Sequence, residues 1–148
     1  MKKVLIAYDS VTGNTQQMAE YVAEGIRVAG HQATVKKIGE LKLKDQLEGY
    51  DAWVFGSPTY HRDMMGTMKT FLFLARNVEM DGKVCGAFGS YTHSGDAPKV
   101  ILDTMEHVFK MKPTSLGSLN LIEDIVSQPD GLKACQDYGK AVGEALEG

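Results

Sequence analysis

The stretch Val4-Leu5-Ile6-Ala7-Tyr8-Asp9-Ser10-Val11-Thr12-Gly13-Asn14-Thr15 decides how this chain folds. Its first five residues form an apolar run that suits a buried strand. A turn of small and hydroxyl-bearing residues follows, and Gln16-Gln17-Met18-Ala19-Glu20-Tyr21-Val22-Ala23 reads as a helix. The turn therefore sets backbone N–H groups and the hydroxyls of Ser10, Thr12 and Thr15 at a helix N-terminus. Unpaired amides and the helix dipole favour a phosphate there. No lysine or arginine lies in the turn, so a phosphate would be held by neutral donors. The turn matches neither the Gly-Lys-Ser/Thr ending of a Walker loop nor a Gly-x-Gly-x-x-Gly turn. A strand-to-helix turn with a hydroxyl cap and no ligand is the competing reading.

Outward from this stretch, apolar runs and helical patterns alternate to the end of the chain. Residues 15–29 are helical, with Met18, Val22 and Ile26 on one face and Gly30 closing the helix. Residues 32–38 read as a second strand and 43–47 as a short helical turn. A third strand, 52–56, ends at Ser57-Pro58. A helix over 66–77 turns Met68, Phe71, Leu72 and Ala75 inward. Residues 83–90 form a fourth strand, 98–109 a helix, and 114–122 a weaker strand interrupted by Gly117. Pro129 starts the last helix, as proline at a first helical position permits. Five strands separated by helices predict a parallel sheet covered on both faces, a doubly wound α/β fold. With 148 residues and no linker or repeat, a single domain over 1–148 is expected.

Composition narrows the function. Apolar residues make up 43% and charged residues 24%, as in a soluble globular protein. The net charge of −3 speaks against nucleic acid as a partner. The second half, residues 75–148, holds 7 basic against 11 acidic side chains, net −4, a charge that could orient a basic partner or simply solvate the surface. No apolar run reaches the length of a membrane helix, and the first is too short for a signal peptide, so a cytoplasmic protein without membrane contact is expected. Cys85 sits in a strand and Cys135 in a helix, which predicts buried free thiols. His31, His61, His93 and His107 fall on different elements, and no metal site is predicted.

In a doubly wound sheet, ligands bind beyond the carboxyl ends of strands where the strand order reverses. The loops after strands one, three and four can converge there. The second is Ser57-Pro58-Thr59-Tyr60-His61-Arg62-Asp63-Met64 and the third Gly89-Ser90-Tyr91-Thr92-His93-Ser94-Gly95-Asp96. Two tyrosines and two histidines at a cleft mouth suit another flat ring.

Ser10-x-Thr12-Gly13-Asn14-Thr15 after a first strand resembles the phosphate loop of flavodoxins, and the resemblance extends through Gly56-Ser57-Pro58-Thr59-Tyr60 and Phe88-Gly89-Ser90-Tyr91. It implies the three-layer sandwich of that family, with strand order 2-1-3-4-5. Strand five lacks the long insertion of long-chain members, which implies the short-chain type. The implied cofactor is FMN. The implied function is low-potential electron transfer between redox partners such as reductases or ferredoxin-linked enzymes. Carried over, the resemblance assigns Ser10, Val11, Thr12, Asn14 and Thr15, with the amide of Gly13, to the FMN phosphate. Ser57, Pro58, Thr59, Tyr60, His61 and Arg62 would border one side of the ring. Ser90, Tyr91, Thr92, His93 and Gly95 would border its pyrimidine end and second face.

Two features depart from the family pattern. The chain is only mildly acidic, and it places His61 and Arg62 in the second loop. A cation there would favour the anionic reduced flavin, unless Arg62 points to water and pairs with Asp63. Flavodoxins also often carry a glycine in this loop, where a peptide turns over on reduction; none occurs between Ser57 and Met65. The second and third loops also resemble the flavodoxin-like domains of flavodiiron proteins. Met64-Met65-Gly66-Thr67-Met68-Lys69-Thr70-Phe71-Leu72 is similar to flavodoxin-like quinone reductases, which makes an NAD(P)H-dependent FMN quinone reductase the alternative function. A receiver-like regulatory domain fits poorly, because Asp9 stands alone at the first strand end.

Overall fold

The computed structural model describes residues 1–60 and 62–147. Its elements follow the sequence pattern closely. They are β1 (Lys3–Tyr8), α1 (Asn14–Val28), β2 (Gln32–Lys37), β3 (Ala52–Gly56), α2 (Gly66–Ala75), β4 (Val84–Tyr91), α3 (Asp96–His107), β5 (Lys112–Ile122), α4 (Glu123–Val126) and α5 (Pro129–Glu147). Two 3₁₀ turns, Ile38–Glu40 and Lys44–Leu47, connect β2 to β3, and the Trp53 indole N–H donates to the Leu47 carbonyl to hold the second one. The short helix α4 carries too few residues for a periodic signal, so the pattern missed it. Helix α3 starts two residues earlier than expected, since a proline in the first turn lacks only an N–H that would be unpaired anyway.

The five strands form one parallel sheet in the order β2-β1-β3-β4-β5. Side chains alternate across it. Val4, Ile6, Tyr8, Ala52, Val54 and Phe88 pack with Met18, Val22 and Ile26 of α1 and with Tyr138 and Val142 of α5. Leu5, Ala7, Trp53, Phe55, Cys85 and Ala87 pack on the opposite face with Met68, Phe71 and Ala75 of α2 and Ile101 and Met105 of α3. The result is a three-layer sandwich. Helices α1 and α5 touch backbone to backbone: a Cβ on Gly139 would lie 2.0 Å from the Val22 carbonyl oxygen, and one on Gly25 would lie 2.0 Å from that of Gln136.

Gly117 does interrupt β5. The pairing with β4 jumps from Cys85↔Pro113 to Ala87↔Ser118, so residues 114–117 leave the ladder. Tyr138 of α5 fills the gap. Its hydroxyl accepts from the Ala87 N–H at 3.0 Å and donates to the Gly117 carbonyl at 2.5 Å. A side chain thus replaces the missing ladder bonds, and burial pushes its phenol pKa up to about 12. Both cysteines are buried and free, as expected, and burial pushes each thiol up to about 12.

Candidate functional site

The first loop is built to leave donors outward. Gly13 adopts φ +92°, a left-handed conformation that glycine takes without strain, and stands at the N-cap of α1. Its N–H donates to Ser10 Oγ at 3.1 Å, and Asn14 Nδ2 donates to Thr12 Oγ1 at 3.0 Å. Ser10 and Thr12 accept inside the loop, so their own O–H groups remain free to donate outward. Among the described residues no side chain caps α1, and no acid stands in its first turn, which leaves its leading N–H groups and positive dipole end open to an anion. Val11, Thr12 and Gly13 are exposed, while Ser10 and Asn14 are half-buried. Thr15 differs from the others. It is buried, and its hydroxyl shares a hydrogen bond with Ser90 Oγ at 3.4 Å, tying the first loop to the end of β4.

Backbone pairing beyond the strand ends brings the other loops in. The Asp9 N–H donates to the Gly56 carbonyl, Ser57 N–H to Phe88, and Thr59 N–H to Ser90. Ser57 and Pro58 are buried beneath the second loop. The Ser57 hydroxyl donates to the Pro58 carbonyl at 2.9 Å and accepts from the Met65 N–H at 3.2 Å, so it pins both ends of that loop. Thr59 Oγ1 accepts from the Ala97 N–H in the first turn of α3 at 3.0 Å, capping a helix that follows the third loop. Loops two and three are therefore locked together.

Tyr60 and Asp63 exchange backbone hydrogen bonds of 2.6 and 2.9 Å, closing a tight hairpin turn. Arg62 sits in that turn at φ +65°, which costs a non-glycine residue about 1–2 kcal/mol. His61, assigned to the ring from the sequence, lies outside the described residues. Tyr60 is half exposed. One cleft, of about 420 Å³, opens between the first and second loops and is lined by Val11, Tyr60, Asp63, Met64, Met65, Gly66 and Lys69. Another, of about 240 Å³, opens between the second and third and is lined by Thr59, Arg62, Thr92, His93 and Ser94. Tyr91 and Gly95 are half-buried behind it, and a Cβ on Gly95 would touch Asn120 and Tyr91 at 3.0 Å.

Arg62 does not pair with Asp63. The Asp63 carboxylate accepts from the Met64 N–H at 2.7 Å and pairs with Lys69 Nζ at 2.5 Å, and the Lys69 hydrogen bond holds its carboxyl below the ordinary aspartate value. Arg62 faces the third loop instead. Met65, Gly66 and Lys69 are cleft residues that the loop compositions did not single out. They belong to the first turn of α2, and only the fold turns that turn toward Tyr60. His107 lies on a different element from His31 and His93, and it has carboxylates close by. Its ring, Asp103 and Glu106 offer ligand atoms within 4.8 Å of one another on one half-exposed helix face. Adjacent helical positions bring such groups together without an ion.

This donor set fits a phosphate monoester beside a flat ring: outward hydroxyls, a bare helix N-terminus, and an exposed tyrosine above a cleft. The comparisons agree. The family described as flavodoxin matches residues 6–132. The structure of a flavodoxin from the domain Archaea is 28% identical, with a TM-score of 0.90 over 99% of both chains. A flavodiiron core from Synechocystis is 25% identical with a TM-score of 0.80, covering 99% of this chain and 36% of that one. An NAD(P)H dehydrogenase (quinone) of Archaeoglobus fulgidus is 30% identical over 66% of this chain, and the match spans 64% of that relative's length. The chain belongs to the flavodoxin family, whose cofactor is FMN.

Proposed function

We propose that this chain is a one-domain FMN electron carrier of the cytoplasm, passing electrons between redox partners such as reductases or ferredoxin-linked enzymes. The first loop carries this reading: it presents neutral donors to a phosphate and nothing that would do chemistry on it. Ser10, Thr12 and the leading amides of α1 would bind the phosphate, with Val11, Asn14 and Thr15 shaping the loop. Tyr60, Thr59 and Arg62 would flank one side of the ring, and Tyr91, Thr92, His93 and Gly95 the other. Ser57, Pro58 and Ser90 would position these loops from beneath. FMN, when bound, supplies the redox chemistry; the protein binds it, orients it and sets its electrostatics. The match to the archaeal flavodoxin along both whole chains supports a carrier. No described helix is long and apolar enough to cross a membrane.

The second reading is an NAD(P)H-dependent quinone reductase, favoured by the Archaeoglobus relative and by a cation beside the second cleft. One experiment separates them. The FMN-loaded protein is mixed with NADH or NADPH, with and without a soluble quinone, and its redox titration is recorded in parallel. A carrier cycles reversibly through the titration and consumes neither nucleotide. Steady nucleotide oxidation that depends on quinone would replace it with the reductase.

A further inference from the structure

We propose that Lys69 is a positioning residue for the flavin ring, acting through Asp63 to hold the turn from Tyr60 to Asp63 against α2. The inference rests on the placement of the ring beside Tyr60. Both ends of the second loop are fixed from within the fold. The Thr59 N–H donates to the Ser90 carbonyl, and its hydroxyl accepts from the Ala97 N–H. At the far end Met64 is buried in the core, and the Met65 N–H donates to Ser57 Oγ at 3.2 Å. The turn projects between these anchors, and Asp63 gathers its bonds. The Asp63 backbone exchanges hydrogen bonds of 2.6 and 2.9 Å with Tyr60. One carboxylate oxygen accepts from the Met64 N–H at 2.7 Å, and the other meets Lys69 Nζ at 2.5 Å.

Lys69 is suited to be the fixed point. Its N–H donates to the Met65 carbonyl at 3.1 Å in the first turn of α2, and Met68, Phe71 and Leu72 seat that helix in the core. The turn needs such a hold. Arg62 is kept at φ +65°, a left-handed conformation that a non-glycine residue retains only where surrounding contacts impose it. Relaxing Arg62 would move Tyr60, because the two bonds across the turn join Tyr60 directly to Asp63. The effect falls on the ring and not on the phosphate. Tyr60, Asp63 and Lys69 line the same cleft of about 420 Å³. Ser10 and Thr12 stand in the first loop, which is closed by its own bonds from Gly13 and Asn14. The Asp63 and Lys69 side chains are 38% and 53% exposed, so the hold is modest. A pair of that kind shifts an equilibrium by about fivefold at most.

The test titrates the full-length apoprotein with FMN and, separately, with riboflavin, read by quenching of flavin fluorescence. The variants are Lys69→Met, Asp63→Asn, the two combined, and Lys69→Arg. Each single loss is expected to weaken both flavins by the same factor, about two- to fivefold. The double variant should do no worse than either single one, because both remove one tie. Lys69→Arg should restore both affinities. Amide exchange with solvent reads the turn directly: protection of the Tyr60 and Asp63 N–H groups should fall several-fold in both single variants while β1 stays protected, and return with Lys69→Arg. A loss confined to FMN in Lys69→Met, with Asp63→Asn harmless, would make Lys69 a phosphate contact and overturn the proposal. Additive losses would overturn it too, as would unchanged affinities for both flavins in the single variants, whether or not amide protection falls. Failure of the ring placement looks different: Tyr60→Ala would then leave riboflavin affinity untouched, whatever the Lys69 variants do.

Discussion

Replacing Thr12 by alanine should weaken FMN markedly while leaving riboflavin nearly untouched, so the preference for FMN narrows. The Thr12 hydroxyl is exposed and already accepts from Asn14, so its proton is the one it can offer a phosphate oxygen. A hydrogen bond to a charged group contributes about 1.5–3 kcal/mol, which is roughly 10- to 150-fold in affinity. Riboflavin lacks the phosphate, so its affinity should change by less than about twofold, and urea stability by less than about 0.5 kcal/mol. Thr15→Val serves as the contrast. It removes a buried hydroxyl that partners Ser90, leaving that hydroxyl unpaired at a cost of about 1–3 kcal/mol in stability. Both flavins should then bind less well, because the seating of the loop has changed. The assay is quenching of flavin fluorescence by the apoprotein, titrated with each ligand. With no cation in the loop, FMN affinity should respond only weakly to salt. Equal losses of FMN and riboflavin in Thr12→Ala would refute the assignment of this loop to the phosphate.

The remaining expectations concern electrostatics and the sheet. Arg62→Ala should lower the potential of the second reduction step: at about 8 Å and an effective dielectric of about 40 its attraction is about 1 kcal/mol, or roughly 45 mV. Unchanged potentials at low salt would place its charge away from the ring. Tyr138→Phe should cost about 2–4 kcal/mol in urea unfolding, since it strands the Ala87 N–H and the Gly117 carbonyl; a loss below about 0.5 kcal/mol would mean that the β4–β5 gap closes without it. Cys85 and Cys135, with thiols pushed up to about 12, should resist a thiol reagent at pH 8 in the folded protein and both react in denaturant. The Asp63 carboxyl should titrate below the usual aspartate value, and Lys69→Met should return it toward that value. Its folded pKa is the lowered one, so the hairpin tie is present above the ordinary aspartate range and lost as pH falls through the folded value. Carboxyl carbon NMR reads both.

The fold was largely legible in one dimension because its signals are local. A five-residue apolar run, a helical face recurring through Met18, Val22 and Ile26, and Gly30 at the helix end each report their element without reference to distant residues. The strand order came from likeness of loops to a family, since parallel pairing leaves no local mark that says which strand lies beside which. Gly117 announced a break in β5, but nothing local said that a tyrosine twenty-one residues on would fill it.

The sequence by itself determined the alternation of strands and helices, the donor-rich first loop free of cations, and the aromatic character of the loops that face it. Tertiary structure alone decided the pairings within that site. Thr15 meets Ser90 across 75 residues, and Thr59 caps a helix 38 residues ahead. Asp63 takes Lys69 as its partner, not the adjacent Arg62. Neighbours in sequence can point apart, because a left-handed residue in a tight turn throws its side chain away from the helix that follows. Lys69, one helical turn into α2, comes back over Asp63 because Ser57 pins the start of that helix beneath the loop. Distances between side chains are set by how the layers stack, and a linear chain does not carry that information at any single position.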